Sequence, residues 1–370
     1  MSVILAAIAF ILVLVALIVV HELGHFFAAK WAGMRVDEFG IGYPPRAYTV
    51  ARHNGTEYTL NWLPFGGFVK IFGEDESAEG GAKRTDSFVS KPHYVQALVL
   101  VAGILMNLVF AWILLSFTLA IGLPRGLSAE EIPLAPDAAL AIARVVEGSP
   151  ADDAGLKEGD IITLASYGDA TFTGADADAF TTFVGGSKGA PVLLSVERGG
   201  APLELTATAE KLVAPTDPER FALGVGIAAI GTVQVPFWQA PIEGAVLTWN
   251  ATQQVAVGLV HFFGSLFTFN ADLAQVSGPI GIAGAVGTAS GTSLAALLSL
   301  MAIISINLAL INLVPVPALD GGRLLFVIIE AITRKPIPNG VANALNTTGF
   351  GLLILLMVVV TASDLWKAFT

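Results

Sequence analysis

An uninterrupted apolar run of eighteen residues, at positions 3–20, is followed at once by His21-Glu-Leu-Gly-His25. A helix that crosses a bilayer needs about 20 predominantly apolar residues. An ionisable group buried at the centre of such a helix costs about 2.5–3.5 kcal/mol, so ionisable groups in a membrane are candidates for function. The start of the chain therefore predicts a membrane helix that carries a chemical site.

Three further apolar runs, at about 94–123, 294–314 and 349–362, extend this pattern. Hydrophobic residues make up 54% of the chain and charged residues 13%, whereas soluble domains carry about 25% charged residues. This composition excludes a purely soluble enzyme and a disordered chain. The net charge of −11 argues against nucleic-acid binding, which needs clustered Lys and Arg. We expect a polytopic α-helical membrane protein with about four spans embedded in the lipid bilayer.

The basic residues indicate how the spans are oriented, because Lys and Arg accumulate in cytoplasmic loops. Eleven of them lie between spans one and two or between spans three and four, and they are Lys30, Arg35, Arg46, Arg52, Lys70, Lys83, Arg84, Lys91, Arg323, Arg334 and Lys335. Residues 122–240 carry sixteen acidic residues against seven basic ones. We therefore expect both loops in the cytoplasm, and residues 122–240 and both termini on the outer face of a bacterial inner membrane.

The His-Glu-x-x-His motif predicts a zinc site. On a helix, His21 and His25 are four residues apart and share a face, so both imidazoles can bind one metal ion. Glu22 lies about 100° away around the helix, where it can hold a water molecule. Zinc suits two imidazole ligands, and a glutamate can accept the proton as the water attacks a carbonyl carbon. The alternative is a polar helix end at the membrane surface, which explains poorly why three ionisable groups adjoin the apolar run.

A catalytic zinc ion usually has a third protein ligand, and the chain has no cysteine to provide it. Asp320 is the only acidic residue between positions 294 and 329. It follows Pro315 and Pro317, which break a helix, and precedes two glycines that free the backbone. Irregular backbone is tolerated at membrane depth where it is buried in protein or lines a wet cavity. We predict Asp320 as the third ligand, the alternative being a helix-capping residue at the membrane surface.

Residues 138–212 are predicted to form a small β-rich module. Stretches at 141–146, 192–197 and 203–208 have the apolar pattern of strands. Ser149-Pro150 predicts a helix start, and Gly155 predicts its end. The order of Gly-Ser-Pro-Ala, Ala-Gly-Leu and Gly-Asp between positions 148 and 160 resembles the PDZ domains of bacterial envelope proteases. Any small β module with a glycine-rich turn is the alternative.

Within the region 236–290, the stretch 236–269 is apolar but contains frequent polar residues, such as Gln253, Gln254 and His261. This pattern predicts an amphipathic helix lying at the membrane interface. A fifth span is the alternative, and it would change the expected orientation.

Together, these motifs resemble the site-2 protease family of intramembrane zinc metalloproteases, in its bacterial regulator-of-sigma-E-protease-like branch. The resemblance rests on the His-Glu-x-x-His of the first span, the Asn-x-x-Pro-x-Pro-x-Leu-Asp-Gly segment of the third span and the inserted PDZ-like module. Residues 58–70 are similar to the family's membrane-reentrant β segment, and residues 277–280 to its element before the third span. The second span departs from the family at Ile104, where proline is common, but it keeps Asn107. One PDZ-like module is visible, whereas the proteobacterial sigma-E type has two.

The resemblance implies roles for individual residues. Glu22 would be the catalytic base, and Asn312 would contact the substrate; from the sequence alone, Asn312 could equally form an interhelical hydrogen bond. The β segment with Gly66 and Gly67 would present the substrate as a strand. The implied Zn²⁺ ligands are His21, His25 and Asp320.

The expected organisation has seven parts. They are a first span with the zinc motif (1–35), a cytoplasmic loop with the reentrant β segment (36–92), a second span (93–123), an extracytoplasmic PDZ domain (138–212), the amphipathic region (236–290), a third span with the Asp320 motif (291–335) and a fourth span (343–370).

The expected activity is zinc-dependent hydrolysis of a peptide bond in the transmembrane segment of a single-pass protein, such as an anti-sigma factor or a signal-peptide remnant. The resemblance implies that an upstream protease trims this substrate first. Two alternatives come from other classes of protein, a catalytically inactive PDZ scaffold and a metal-dependent transporter.

Overall fold

The computed structural model describes residues 3–74, 84–211, 221–268 and 278–369. The chain forms two compact units, a helical unit of Met1–Leu119 with Pro236–Thr370 and a β-rich unit of Ala120–Val235. Lys83 of the first basic loop and Ser277 of the predicted 277–280 element lie outside the described residues.

Four of the described helices are long and apolar enough to cross a membrane, over Ile4–Trp31, His93–Ile121, Leu294–Leu313 and Gly340–Trp366. The chain is therefore a multi-pass membrane protein, and the fourth such helix is longer than the apolar run at 349–362. The helices are α1 Val3–Trp31, α2 His93–Ile121, α3 Pro150–Asp153, α4 Ala177–Gly186, α5 Ala240–Phe267, α6 Pro279–Thr292, α7 Leu294–Leu313, α8 Asp320–Thr333 and α9 Asn339–Phe369.

A β-hairpin follows α1. Its strands, β1 Val36–His53 and β2 Thr56–Ile71, are antiparallel. Asn54 and Gly55 form the turn with φ angles of 47° and 76°, the left-handed conformation that two-residue hairpin loops need. The first half of β1 has partners on both sides, since Gly40 lies opposite Phe68 and also opposite Thr59.

A tight corner joins α7 to α8, where the two prolines predicted a helix break. Ala318 has a positive φ of 75°. A Cβ atom on Gly321 would lie 2.4 Å from the carbonyl oxygen of Val314, and one on Gly322 would lie 2.3 Å from that of Val316. The two glycines are therefore required by close backbone packing at the start of α8, which begins at Asp320.

Helix α5 occupies much of the region predicted to be amphipathic, and it packs on α2 through its small residues. The indole Nε1 of Trp112 donates to the carbonyl oxygen of Pro241 over 2.8 Å, and a Cβ on Gly244 would lie 2.2 Å from Ser116 Oγ. Its opposite side exposes a stripe of apolar residues, Ile242, Val246, Trp249, Val257 and Val260. Helix α5 is not among the four candidate spans.

Helix α6 is held at its N-terminus by α9. The buried Asp364 accepts a hydrogen bond from the Gly281 backbone N–H over 2.8 Å. This carboxylate satisfies a backbone donor that the helix itself leaves unpaired, and a Cβ on Gly278 would lie 2.8 Å from it.

The β-rich unit is built on a seven-stranded antiparallel sheet in the order β3-β11-β4-β5-β7-β8, with β6 paired to β5. The predicted strands and the Ser149 helix start are present, and β11, which the sequence analysis did not assign, pairs with both β3 and β4. The strands are β3 Leu123–Gly126, β4 Ala139–Val145, β5 Ile161–Tyr167, β6 Ala170–Phe172, β7 Pro191–Arg198, β8 Ala201–Thr208, β9 Glu210–Lys211, β10 Phe221–Ala222 and β11 Val225–Val233.

One buried carboxylate ties this sheet to the turn after α3. Arg198 donates to Asp160 through Nε and Nη2 over 2.7 and 2.8 Å, and the Lys157 backbone N–H donates to the same carboxylate over 2.9 Å. The Arg198 guanidinium lowers the pKa of Asp160 below its ordinary value.

Candidate metal centre and active site

Three predicted metal ligands meet in the helical unit. The Nε2 atom of His21 lies 3.0 Å from Oδ2 of Asp320 and 3.2 Å from Nε2 of His25, and His25 Nε2 lies 3.2 Å from the same Oδ2. Both histidines are 8% exposed. Two ligands come from one face of α1, as their four-residue spacing predicts, and the third comes from the first turn of α8.

The triangle of ligand atoms has the size that zinc requires. Zn–N and Zn–O bonds of about 2.0–2.1 Å with tetrahedral angles place two ligand atoms about 3.3 Å apart. The three observed separations are 3.0–3.2 Å. The donor set of two imidazoles and one carboxylate is also one that catalytic zinc sites use, so the residues present fit a zinc ion.

His25 is oriented by α2. Its Nδ1 donates to the carbonyl oxygen of Val99 over 2.9 Å, which leaves the Nε2 lone pair directed at the other ligands. Helix α2 comes close enough because of two glycines: a Cβ on Gly24 would lie 2.4 Å from the Ala102 carbonyl oxygen, and one on Gly103 would lie 2.3 Å from His25 Nε2.

His21, on α1, contacts the buried side-chain amide of Asn107 on α2. Nδ1 of His21 lies 3.2 Å from Nδ2 of Asn107. Asn107 is fully buried, and Ser305 Oγ on α7 donates to its backbone carbonyl oxygen over 2.8 Å. Its side-chain oxygen has no hydrogen-bond partner among the described residues.

Glu22 lies beside the hairpin. A Cβ on Gly67 would be 3.3 Å from Glu22 Cγ and 2.9 Å from Ile18 Cγ2, so β2 crosses α1 next to the predicted base. Gly66 has a φ of 128° and lies against the ring of Tyr43, where a Cβ would be 2.2 Å away. Of the two glycines predicted to contact substrate, Gly67 is the one placed next to Glu22.

Asn312 is half-buried near the end of α7. Within the described part of the chain, its side chain makes no hydrogen bond to His21, His25 or Asp320. The structure therefore brings four of the predicted residues together, namely the three ligands and Glu22. The predicted contact of Asn312 with the substrate stays a prediction.

Asn107 has no role among the predictions from the sequence. Its signal was present, because it is the one strongly polar side chain between Gln96 and Ser116 in an apolar run. The contacts that hold the Asp320 corner against α9 were also not predicted. The Ala318 N–H donates to Asn346 Oδ1 over 3.3 Å, and a Cβ on Gly349 would lie 2.5 Å from the carbonyl oxygen of Pro317.

The chain is similar over nearly its whole length to one family of known proteins. The model of a family described as peptidase family M50 matches residues 9–356. The zinc metalloprotease RasP of Shouchella clausii is 29% identical, over 98% of this chain and 99% of its own length. RasP of Geobacillus kaustophilus is 29% identical over 98% of both chains.

A further relative, from Clostridium perfringens, is 36% identical over 95% of both chains, and its name provisionally assigns it to the zinc metalloproteases. The family match covers both the His21-to-His25 motif and the Asp320 corner. Zn²⁺ is therefore the expected cofactor. The chain belongs to peptidase family M50, the site-2 protease family of zinc metallopeptidases, in its RasP-like branch.

Proposed function

We propose that this chain hydrolyses a peptide bond in or near the transmembrane segment of a single-pass membrane protein. One observation carries the proposal: His21, His25 and Asp320 converge within a candidate membrane span, where its apolar run ends, with Glu22 beside them. His21, His25 and Asp320 would hold zinc. When bound, zinc would supply the Lewis acid that polarises the scissile carbonyl and acidifies the attacking water.

Glu22 would move the proton in this reaction. Its carboxylate accepts a proton from the water as the oxygen adds to the carbonyl carbon, and gives it to the departing amine nitrogen as the C–N bond breaks. The products are a new carboxylate and a new amine. The position of Glu22, in the helical turn that carries both histidines, suits it to reach the same substrate atoms.

The hairpin would present the substrate in an extended form. A helix in lipid satisfies its backbone hydrogen bonds internally, so cleavage requires local unwinding. Residues 67–71 pair with β1 along one edge, and no described strand pairs with their other edge. A peptide that adds to this edge as a strand would lie beside Glu22, because Gly67 does.

The β-rich unit would act as a PDZ domain that reads the outer tail of the substrate. Its antiparallel sheet, the Ser149-capped α3 and the second helix α4 support this interpretation. A domain of this kind would admit a substrate whose bulky outer region has already been removed. We therefore infer that an upstream protease makes the first cut, in substrates such as anti-sigma factors or signal-peptide remnants.

The protein would lie in the bacterial inner membrane with its active site toward the cytoplasm. Both basic loops contribute to one cleft of about 440 Å³, Glu74 and Phe88 from the first and Ile337 from the second. This arrangement supports the two loops lying on the same side of the membrane. Because basic loops accumulate in the cytoplasm, that side would be the cytoplasmic one.

The test is cleavage of a single-pass substrate by the purified full-length protein in liposomes, with wild type compared to Glu22→Gln. We expect Glu22→Gln to abolish cleavage and to retain zinc, because the amide cannot accept the proton and is not a ligand. Glu243→Gln, an exposed residue of α5, is the matched control and should cleave as wild type.

Two outcomes would contradict the proposal. Wild-type protein that binds a peptide tail but cleaves no membrane substrate would indicate a scaffold. Zinc flux into the same liposomes without cleavage would indicate a transporter.

A further inference from the structure

Asn107 is a fully buried polar residue in the middle of the apolar helix α2. Its amide nitrogen lies 3.2 Å from Nδ1 of His21, and its amide oxygen is without a partner among the described residues. A buried amide group in apolar surroundings is costly unless it is hydrogen-bonded. Its place against a predicted metal ligand therefore needs a physical reason.

The orientation of this amide decides which nitrogen of His21 carries the proton. If the amide nitrogen donates to Nδ1, then the neutral imidazole has its proton on Nε2. Yet Nε2 is the atom that lies 3.0 Å from Asp320 and 3.2 Å from His25 Nε2. A nitrogen that carries a proton has no lone pair for a metal, so that orientation is incompatible with zinc binding by His21.

A half-turn of the amide exchanges its oxygen and nitrogen at nearly the same positions. The oxygen then accepts from Nδ1–H, and the Nε2 lone pair of His21 is directed at the other ligands. In the orientation that donates to Nδ1, the amide oxygen has no partner among the described residues. Zinc binding by Nε2 requires the other orientation, because only there does His21 carry its proton on Nδ1.

We propose that Asn107 is a positioning residue that accepts a hydrogen bond from His21 Nδ1–H and so holds Nε2 available to zinc. The inference rests on the proposed zinc site and adds a residue to it. His25 supplies the parallel, because its Nδ1–H donates to the Val99 carbonyl oxygen on the same helix. Helix α2 thus presents two acceptors, eight residues apart in sequence, one to each histidine.

Two substitutions test this role, with zinc affinity measured by chelator competition on full-length protein. Asn107→Leu removes the acceptor and should weaken zinc binding about 10–100-fold, the usual effect of losing a partner of a metal-bound histidine. Asn107→Asp keeps an acceptor and loses the donor, so it should bind zinc at least as tightly as wild type. Wild-type affinity in Asn107→Leu, or an equal loss in Asn107→Asp, would overturn the proposal.

Ser305→Ala is the control for packing, because it removes the hydrogen bond to the Asn107 backbone and leaves the amide in place. We expect wild-type zinc affinity; a loss equal to that of Asn107→Leu would mean that the effect is packing alone. Should Asn107→Leu not fold, ¹⁵N-histidine NMR of zinc-loaded wild type decides instead. A His21 signal with a proton on Nδ1 supports the role, and one with a proton on Nε2 refutes it.

The two possible failures are distinguishable. If Glu22→Gln cleaves the substrate, the proposed reaction is wrong whatever Asn107 does. If Glu22→Gln is inactive and Asn107→Leu retains full zinc affinity, the reaction stands and the role of Asn107 does not.

Discussion

Asp160 of the β-rich unit and Asp320 of the helical unit have opposite surroundings. The Asp160 side chain is 1% exposed, and it accepts two hydrogen bonds from Arg198 and one from a backbone N–H. The Asp320 side chain is 21% exposed and faces two imidazoles. No Lys or Arg of the described chain forms an ion pair with Asp320, and nearby Arg323 pairs with Glu74.

The negative charge of Asp160 is neutralised by Arg198 of the same unit. The negative charge of Asp320 is not neutralised by any described Lys or Arg. A buried charge is tolerated when it is paired or coordinates a metal. Asp160 satisfies the first condition within the β-rich unit and so has a structural role. Asp320 satisfies the second if a cation joins the two histidines, so its role is functional.

The largest expected effect is that of Asp320→Asn. Replacing the carboxylate by a neutral amide should lower zinc affinity by more than about 100-fold, since loss of an outer partner alone costs 10–100-fold. Cleavage should fall in parallel. Zinc content after dialysis, measured by elemental analysis, checks this expectation.

Asp364→Asn is the matched control in the same unit, because Asp364 is buried and already accepts a hydrogen bond from the Gly281 N–H. It should retain zinc at wild-type stoichiometry. Loss of zinc in both variants would mean that the effect is not specific to Asp320.

A smaller effect, on stability, is expected from Asp160→Ala. The variant loses charge-assisted hydrogen bonds, which contribute about 1.5–3 kcal/mol each to stability, and the half-exposed Arg198 recovers part of the loss by hydration. We expect the β-rich unit to be destabilised by about 2 kcal/mol, with zinc content unchanged. Limited proteolysis of full-length protein in denaturant measures this, with the exposed Asp169→Ala as control.

The smallest effect is a dependence on pH. Because Arg198 lowers the folded-state pKa of Asp160, this residue stabilises the fold above the ordinary aspartate pKa of about 3.9. The contribution is lost as the pH falls from there through the lowered value. Glu131 and Asp137 also have lowered pKa values, so the measurement is the difference between wild type and Asp160→Asn from pH 6 to pH 3. A constant difference would contradict the assignment.

Much of the candidate metal site and of the fold could be predicted from the sequence, because these parts depend on local spacing. The four-residue interval of His21 and His25 fixes a shared helix face, and the two prolines with the following glycines fix a corner at Asp320. The apolar runs and the Ser149-Pro150 helix start are local in the same way. Each of these features depends on a few neighbouring residues.

The rest depends on contacts between residues far apart in the chain. Val99 accepts from a histidine 74 residues away, and Asn346 binds a backbone N–H 28 residues away. Such contacts depend on the distance between packed helices. The glycines at positions 24 and 103 allow a short distance between α1 and α2, but their presence in the sequence does not specify it. Strand β11 was not predicted for the same reason, because it pairs with β3 and β4, which lie far from it in the sequence.

The close crossing of α1 and α2 has a thermodynamic consequence for metal capture. The His25 ring is held between the Val99 carbonyl and the surface that Gly103 leaves open, where even a methyl group would overlap it. Its rotational freedom is therefore lost when the helices pack, before any ion arrives. An incoming ion therefore meets a preorganised ligand. The conformational entropy of the His25 side chain is lost on folding, so its loss does not weaken metal binding.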